Sequence, residues 1–121
     1  MLTLPSSIRI LVSSGTTDLR KSFDGLSALV TSQFEHDPLD GNLYVFHNRR
    51  RNQVRVLFWD RTGFMIIGKK LARGTFHFLR SEGHDGPYIE MDSAELSLVM
   101  EGIDLTNAKK RLRWRPLNKA A

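Results

Sequence analysis

Two groups of cationic residues are the part of this sequence whose chemistry most clearly points to a ligand. In the first group Arg49, Arg50 and Arg51 follow one another and Arg55 lies four positions later, while residues 41–59 contain no Asp or Glu. Adjacent guanidinium groups repel one another unless an anion neutralises them. Arginine binds phosphate oxygens and the edges of guanine bases, so these four residues are candidates for nucleic-acid binding. The alternative is a solvated loop whose charges keep strand edges from aggregating.

The second group lies near the C-terminus and combines cations with one tryptophan. No acid follows Asp104 in the sequence. The indole of Trp114 can stack on a base or on an arginine side chain. In a second interpretation Leu112, Trp114 and Leu117 dock on the body of the protein and only the cations face solvent; the two interpretations are compatible. The cations of this group are Lys109, Lys110, Arg111, Arg113, Arg115 and Lys119.

Two further cations lie near the N-terminus, in the stretch SGTTDLRKSFDGL. This stretch predicts a helix whose first turns contain Arg20 and Lys21, where the positive end of the helix dipole disfavours them. A phosphate bound at this end would explain both residues, which we therefore include among the candidates for nucleic-acid binding. The simpler explanation, which we favour, is that Asp18 and Asp24 offset the two charges within the helix.

The composition restricts the class of protein. The chain has 121 residues, with 18 Lys and Arg against 13 Asp and Glu, and a formal net charge of +5. We expect one compact domain over residues 1–107 and a basic tail over residues 108–121. The absence of cysteine excludes disulfides and thiolate metal sites. No apolar run is long enough to span a membrane and no signal peptide is evident, so we expect a cytoplasmic protein without membrane contact.

No motif in the sequence predicts catalysis, and we expect no catalytic residue, no metal and no cofactor. DNA strand transfer uses two or three carboxylates that converge on paired divalent metals, and no spacing among the acids indicates such convergence. His36, His47, His77 and His84 lack the short spacing of a helical zinc pair. A metal-dependent nuclease is therefore the least favoured of the functions considered.

The spacing of apolar residues predicts two helices in the domain that carries the cationic groups. Thr16 or Thr17 is the expected N-cap of the first helix. Asp92 and Glu95 have the spacing of a capping box at the start of the second. The apolar stripe of the first helix, with spacings of 4, 3, 4 and 4, consists of Leu19, Phe23, Leu26, Val30 and Phe34.

Short runs rich in β-branched and aromatic residues predict the strands. The elements follow one another in the order β-α-β-β-β-β-α, with one additional candidate strand. We therefore expect an α+β domain built on an antiparallel meander of four to five strands with two helices. The central strand is apolar on both faces, so the sheet must be covered on both sides, by two helices or by one helix and a second subunit. The candidate strands lie at residues 8–13, 43–47, 53–60, 64–71, 75–79 and 88–91.

Several of these segments together resemble one protein family. In order along the chain they are TDLRKSFDGL, DPLDGNLYVF, NRRRNQVRVLFWD followed by GF, KKLARGTF and a terminal W-R-P. They resemble the TnpB-type accessory protein encoded by the second open reading frame of IS66-type bacterial insertion sequences, over most of the chain. The resemblance implies a role in transposition beside a separate transposase that carries the catalytic acids. It assigns no biochemical activity to this chain.

These observations predict a non-catalytic accessory protein of DNA transposition that binds DNA through its basic surfaces. The expected partners are DNA, in particular the ends of the insertion sequence, and the transposase of the same element. The principal alternative is a protein-interaction module that recruits or regulates the transposase, in which the cations meet an acidic protein surface. A homo-oligomer is compatible with either function.

Overall fold

The computed structural model describes residues 7–77 and 86–101 of the chain. The predicted element order β-α-β-β-β-β-α and the α+β class with two helices are confirmed. In chain order the elements are β1 (Ile10–Ser13), α1 (Phe23–Leu29), a π-helical turn (Val30–Phe34), β2 (Leu43–His47), β3 (Gln53–Trp59), β4 (Phe64–Lys70), β5 (Tyr88–Met91) and α2 (Ser93–Met100).

The five strands form one sheet in the spatial order β4-β3-β2-β1-β5. Strands β2, β3 and β4 form the predicted antiparallel meander, with Val56 opposite Ile67. Strand β1, in contrast, lies parallel to β2 and antiparallel to β5, with Ile10 opposite both Leu43 and Met91. The sheet is therefore mixed rather than wholly antiparallel, because α1 lies in the crossover between β1 and β2.

The candidate strand predicted at residues 75–79 is not a strand in the part that the structure describes. Thr75, Phe76 and His77 lie outside the sheet, and residues 78 and 79 lie outside the described residues. The backbone N–H of Phe76 instead donates to the carbonyl of Arg51 at 2.6 Å, and the Phe76 ring is fully buried. This segment brings the chain from the end of β4 onto the face of the sheet that α2 covers.

Each face of the sheet is covered by one helix of the chain itself, and β3 has buried apolar residues on both faces, as predicted. Burial of each large apolar side chain contributes about 1.5–3 kcal/mol, so both cores stabilise the sheet. The core on the α2 side consists of Ile10, Val12, Leu43, Val45, Val54, Val56, Phe76, Met91 and Val99. The core on the α1 side consists of Leu11, Leu19, Leu26, Val30, Phe34, Tyr44, Phe46 and Leu57.

Helix α1 begins at Phe23, after the N-cap Ser22, and not after Thr16 or Thr17. The backbone N–H of Thr17 instead donates to the carbonyl of His47 at the end of β2, at 2.8 Å. This bond holds the segment after β1 against the sheet in a non-helical conformation. The predicted cap is therefore wrong.

The apolar stripe of the first helix is confirmed only in part. Leu26, Val30 and Phe34 are buried, as predicted. Leu19 is also buried, although it precedes the helix, whereas Phe23 is 45% exposed. Because Leu19 is not helical, the four-residue spacing between it and Phe23 does not place the two side chains on one face.

Helix α2 begins as predicted. The Asp92 carboxylate accepts the backbone N–H of Glu95 at 2.8 Å, and the Glu95 carboxylate accepts the backbone N–H of Asp92 at 2.9 Å. This reciprocal capping box satisfies two N–H groups that the first helical turn cannot pair. Val99 near the end of the helix is buried in the core on the α2 side.

Candidate nucleic-acid interface

A cleft of about 590 Å³ opens on the α1 side of the sheet. The loop after β1, the turn between β2 and β3, and neighbouring parts of β3 and β4 meet there. Arg20 is thereby brought together with arginines that lie about thirty positions later in the sequence. The residues that line the cleft are Thr16, Thr17, Asp18, Leu19, Arg20, Asn48, Arg49, Arg50, Asn52, Gln53, Arg55 and Lys70.

The side chain of Asn48 holds the turn between β2 and β3. Its amide oxygen accepts the backbone N–H groups of Asn52 and Gln53, each at 3.0 Å, and its amide nitrogen donates to the Asn52 side chain at 2.7 Å. These bonds close the turn on itself. Arg49 and Arg50 are therefore presented from a defined backbone, and both are exposed and line the cleft.

Arg51 is exposed but does not line the cleft, although it directly follows the other two arginines. Its φ angle is 59°, in the left-handed region, which changes the direction of the chain at the end of the turn. Its carbonyl also accepts the backbone N–H of Phe76. The three adjacent arginines therefore do not form one cluster.

Strands β3 and β4 add two cations to the cleft. Arg55 projects from β3 toward the loop before α1, where its Nη1 donates to the carbonyl of Lys21 at 3.4 Å. Lys70, at the end of β4, lies opposite Gln53 and lines the same cleft. Lys70 was not among the sequence-based candidates, because only the register between β3 and β4 places it beside Arg55.

Arg20 and Lys21 precede α1, so the predicted conflict with the helix dipole does not arise. The Arg20 guanidinium donates to both carboxylate oxygens of Asp18, with Nη2–Oδ2 at 2.7 Å and Nε–Oδ1 at 3.0 Å. The pKa of the Asp18 carboxyl is held well below its usual range by these hydrogen bonds from Arg20. The proposed offset by Asp18 is thus observed for Arg20. Lys21 lies outside the cleft lining, with its side chain packed beside Gly25.

The charge of the cleft is strongly positive. Five cations line it against one acid, Asp18. A concave surface with charge of one sign focuses the electric field and raises the local concentration of ions of opposite charge. The cations are Arg20, Arg49, Arg50, Arg55 and Lys70.

One buried hydroxyl belongs to the lining of the cleft, and one buried imidazole lies directly before the turn that bears Arg49 and Arg50. The hydroxyl of Thr17 is buried and, within residues 7–77 and 86–101, has no hydrogen-bond partner. Such a group costs about 1–3 kcal/mol, so an acceptor that reached it from the cleft would be stabilised. His47 donates from Nε2 to the carbonyl of Ser13 at 2.9 Å, and burial lowers the pKa of His47. The imidazole is therefore predominantly neutral at pH 7.

Comparison with known proteins assigns the family. The IS66 Orf2-like protein family matches residues 8–110. The chain belongs to this family. Two uncharacterised proteins from Sinorhizobium fredii are similar over almost their full length. The protein y4hO is 34% identical over 96% of both chains, and y4jC is 35% identical over 90% of this chain and 91% of its own. No solved structure matches.

Membership of the IS66 Orf2-like family connects the chain with a transposition-associated accessory role, as the resemblance of the sequence implied. Among the described residues, no helix is long and apolar enough to cross a membrane. Within the same residues, no group of three or more His, Cys, Asp or Glu could hold a metal ion. The basic tail and its candidates lie outside the described residues; they are Lys109, Lys110, Arg111, Arg113, Trp114 and Arg115.

Proposed function

We propose that this IS66 Orf2-like protein is a non-catalytic accessory factor of transposition that binds DNA phosphates in its basic cleft. The convergence of five cations and one acid in one concavity carries the proposal. These cations come from separate segments of the chain, and charges that served only solubility would have no reason to collect. Phosphate groups neutralise such a surface and release counterions when they bind.

The groups that the cleft offers are suited to the DNA backbone more than to the bases. The side chain of Asn48 is engaged in closing its own turn, and Arg20 is held by Asp18. Arg49, Arg50 and Lys70 remain as exposed cations along the rim. Contacts from such side chains to phosphates fix position and orientation without reading sequence. The cleft should therefore bind terminal and unrelated DNA with similar affinity.

Several acidic residues make structural contacts that explain their positions without any catalytic role. Asp18 pairs with Arg20, and Asp40 accepts the hydroxyl hydrogen of Tyr44 at 2.6 Å. Asp60 closes the turn between β3 and β4 by accepting backbone N–H groups, and Asp92 caps α2. The proposal therefore contains no catalytic step.

Salt-dependent binding of the full chain tests the proposal. Labelled duplexes with the terminal sequence of the insertion element and with an unrelated sequence are titrated at several salt concentrations, with anisotropy as the readout. The double variant Arg49→Ala/Arg50→Ala is compared with Arg51→Ala/Arg61→Ala. Both remove two arginines from hairpin turns, but Arg51 and Arg61 do not line the cleft.

We expect the cleft variant to flatten the slope of log K against log salt by up to about 1.8, since each lost phosphate contact contributes about 0.9. The control variant should keep a slope close to that of the unsubstituted chain. Equal slopes for the two variants would mean that the cleft is not the binding surface. Binding to the transposase but to neither duplex would replace the proposal by the interaction-module function.

The absence of catalysis is tested separately. Supercoiled plasmid is incubated with the full chain and magnesium or manganese, with and without the transposase. We expect no nicking by this chain alone. Metal-dependent cleavage that disappears when one Asp or Glu is replaced would contradict a non-catalytic role.

A further inference from the structure

Strand β4 forms one edge of the sheet and is unusually open. Five of its seven residues are exposed, among them Met65 at 43% and Ile67 at 39%. Within the described residues no strand pairs with its outer side. Ile67 also lines an apolar groove of about 550 Å³ with Phe58, Leu96 and Met100, so the exposed apolar surface extends from the edge toward α2. An open strand edge of this kind is a template for another strand.

The hydrogen bonds between β3 and β4 show which backbone groups face outward. The N–H of Asp60 donates to the carbonyl of Gly63, and the N–H of Leu71 donates to the carbonyl of Asn52. Hydrogen-bonded pairs alternate along an antiparallel ladder, so residues 65, 67 and 69 also bond to β3. The backbone groups that point away from the sheet therefore belong to Phe64, Ile66, Gly68 and Lys70.

These outward groups permit β4 to pair with a second copy of itself in antiparallel orientation. With Ile67 opposite Ile67 of the second copy, all seven residues of the strand have partners. Phe64 then pairs with Lys70, and Ile66 pairs with Gly68, through the outward N–H and carbonyl groups. This register gives the full overlap of the two strands.

The side chains of β4 favour the same register. Its apolar residues come first and its two lysines last, so antiparallel pairing places the apolar half of one copy beside the basic half of the other. Met65 lies next to the aliphatic stem of the other copy's Lys69, and the two Ile67 side chains meet at the two-fold axis. The two Lys69 residues are about 13 Å apart along the strand direction, since four residues separate their positions. Cross-strand pairs of this kind stabilise a sheet.

We propose that a second copy of this chain docks on β4 and that the two sheets join into one of ten strands. Lysines on an edge strand commonly prevent it from pairing with another chain. Lys69 and Lys70, however, both lie at one end of β4, so residues Phe64 to Ile67 carry no such charge. The groups facing Ile67 in this arrangement are apolar. The proposal is independent of DNA binding. It places the two basic clefts on the same side of the joined sheet, because the two-fold axis is perpendicular to it.

Single-cysteine variants of the full chain test the register, since the natural chain contains no cysteine. The two Ile67 Cα atoms, in a pair without backbone hydrogen bonds, would lie about 4.5 Å apart, within the range of a disulfide. Ile67→Cys should therefore give mostly crosslinked dimer under mild oxidation. Met65→Cys is the matched control on the same face, because its two copies would be about 13 Å apart. Equal crosslinking of the two variants would overturn the proposal.

Sedimentation equilibrium of the unmodified full chain tests association itself. We expect twice the monomer mass, and we expect Ile67→Lys to return the monomer because it places two cations at the two-fold axis. The control is Leu39→Lys, which makes the same chemical change at a side chain that is 50% exposed and distant from β4 in sequence. A monomeric natural chain, or a dimer that Ile67→Lys leaves unchanged, would overturn the proposal.

Discussion

Replacement of Asp18 by Asn should strengthen DNA binding, because Asp18 is the one acid among the residues that line the cleft. Its carboxylate holds the Arg20 guanidinium through bonds of 2.7 and 3.0 Å and competes with phosphate for it. The pKa of Asp18 lies well below its usual range, so the competing charge is present at every pH near neutrality. Asn retains an oxygen that can accept the backbone N–H of Arg20, which now donates to Oδ1 at 3.0 Å. The turn should therefore keep its shape.

The size of the effect follows from one additional phosphate contact. If Arg20 is released to bind phosphate, the slope of log K against log salt should become steeper by about 0.9. A fourfold rise in salt, from about 50 mM to about 200 mM, then changes the ratio of the variant's affinity to that of the natural chain by about 3.5-fold. The advantage of the variant is greatest at low salt and declines as salt rises.

The matched control for this experiment is Asp60→Asn. Asp60 is also exposed and also accepts backbone N–H groups in a turn, but it lies outside the cleft. Both variants raise the net charge by one, so a general charge effect would steepen both slopes equally. Anisotropy titrations over a salt series measure the slopes. A slope for Asp18→Asn that equals that of Asp60→Asn would refute the assignment of Arg20 to a phosphate site.

Three further predictions concern stability, measured by urea unfolding. Leu26→Ala should lower the free energy of unfolding by about 2–5 kcal/mol because Leu26 is fully buried. Phe23→Ala should lower it by only about 1 kcal/mol because that ring is 45% exposed. Equal losses for the two variants would contradict the observed start of α1. Asp92→Ala should cost about 0.5–2 kcal/mol through loss of the cap on α2, and an unchanged midpoint would show that the capping box contributes nothing. Burial lowers the pKa of His47. Below about pH 6.5 the unfolded chain therefore takes up a proton that the folded chain does not bind, and the free energy of unfolding decreases as the pH is lowered. His47→Gln should show a smaller loss between pH 7 and pH 5 than the natural chain, and identical pH profiles would exclude this role of His47.

Local sequence signals were sufficient for the elements whose partners are close in the chain. The strands of the meander, the two apolar faces of β3 and the capping box at Asp92 were all predicted because each depends on a few neighbouring residues. The start of α1 was not predicted correctly. The backbone hydrogen bond from Thr17 to His47 joins residues thirty positions apart in the sequence, and it overrides the local preference for a helix. The parallel pairing of β1 with β2 was also not predicted, although the predicted β-α-β order at the start of the chain is the connection that parallel strands require.

Most residues of the candidate site were predicted from the sequence, but their spatial arrangement was not. Arg49, Arg50 and Arg55 were selected from their spacing, and the structure brings them to one cleft with Arg20. Arg51 has the same chemistry, but its left-handed backbone sets it apart from them. Lys70 joins the cleft through its register with β3, which can be recognised only when the hairpin is known.

The position of β1 between β2 and β5 has a consequence for the order in which the chain folds. The meander spans residues 43–70 and can form from contacts that are close in sequence. Strand β1 leaves the ribosome before the other four strands, yet one of its neighbours follows about thirty residues later and the other near the end of the described residues. Contacts that close such long loops form slowly. We therefore expect the N-terminal strand to be fixed last, so that a nascent chain exposes the inner edge of β2 until synthesis has passed β5.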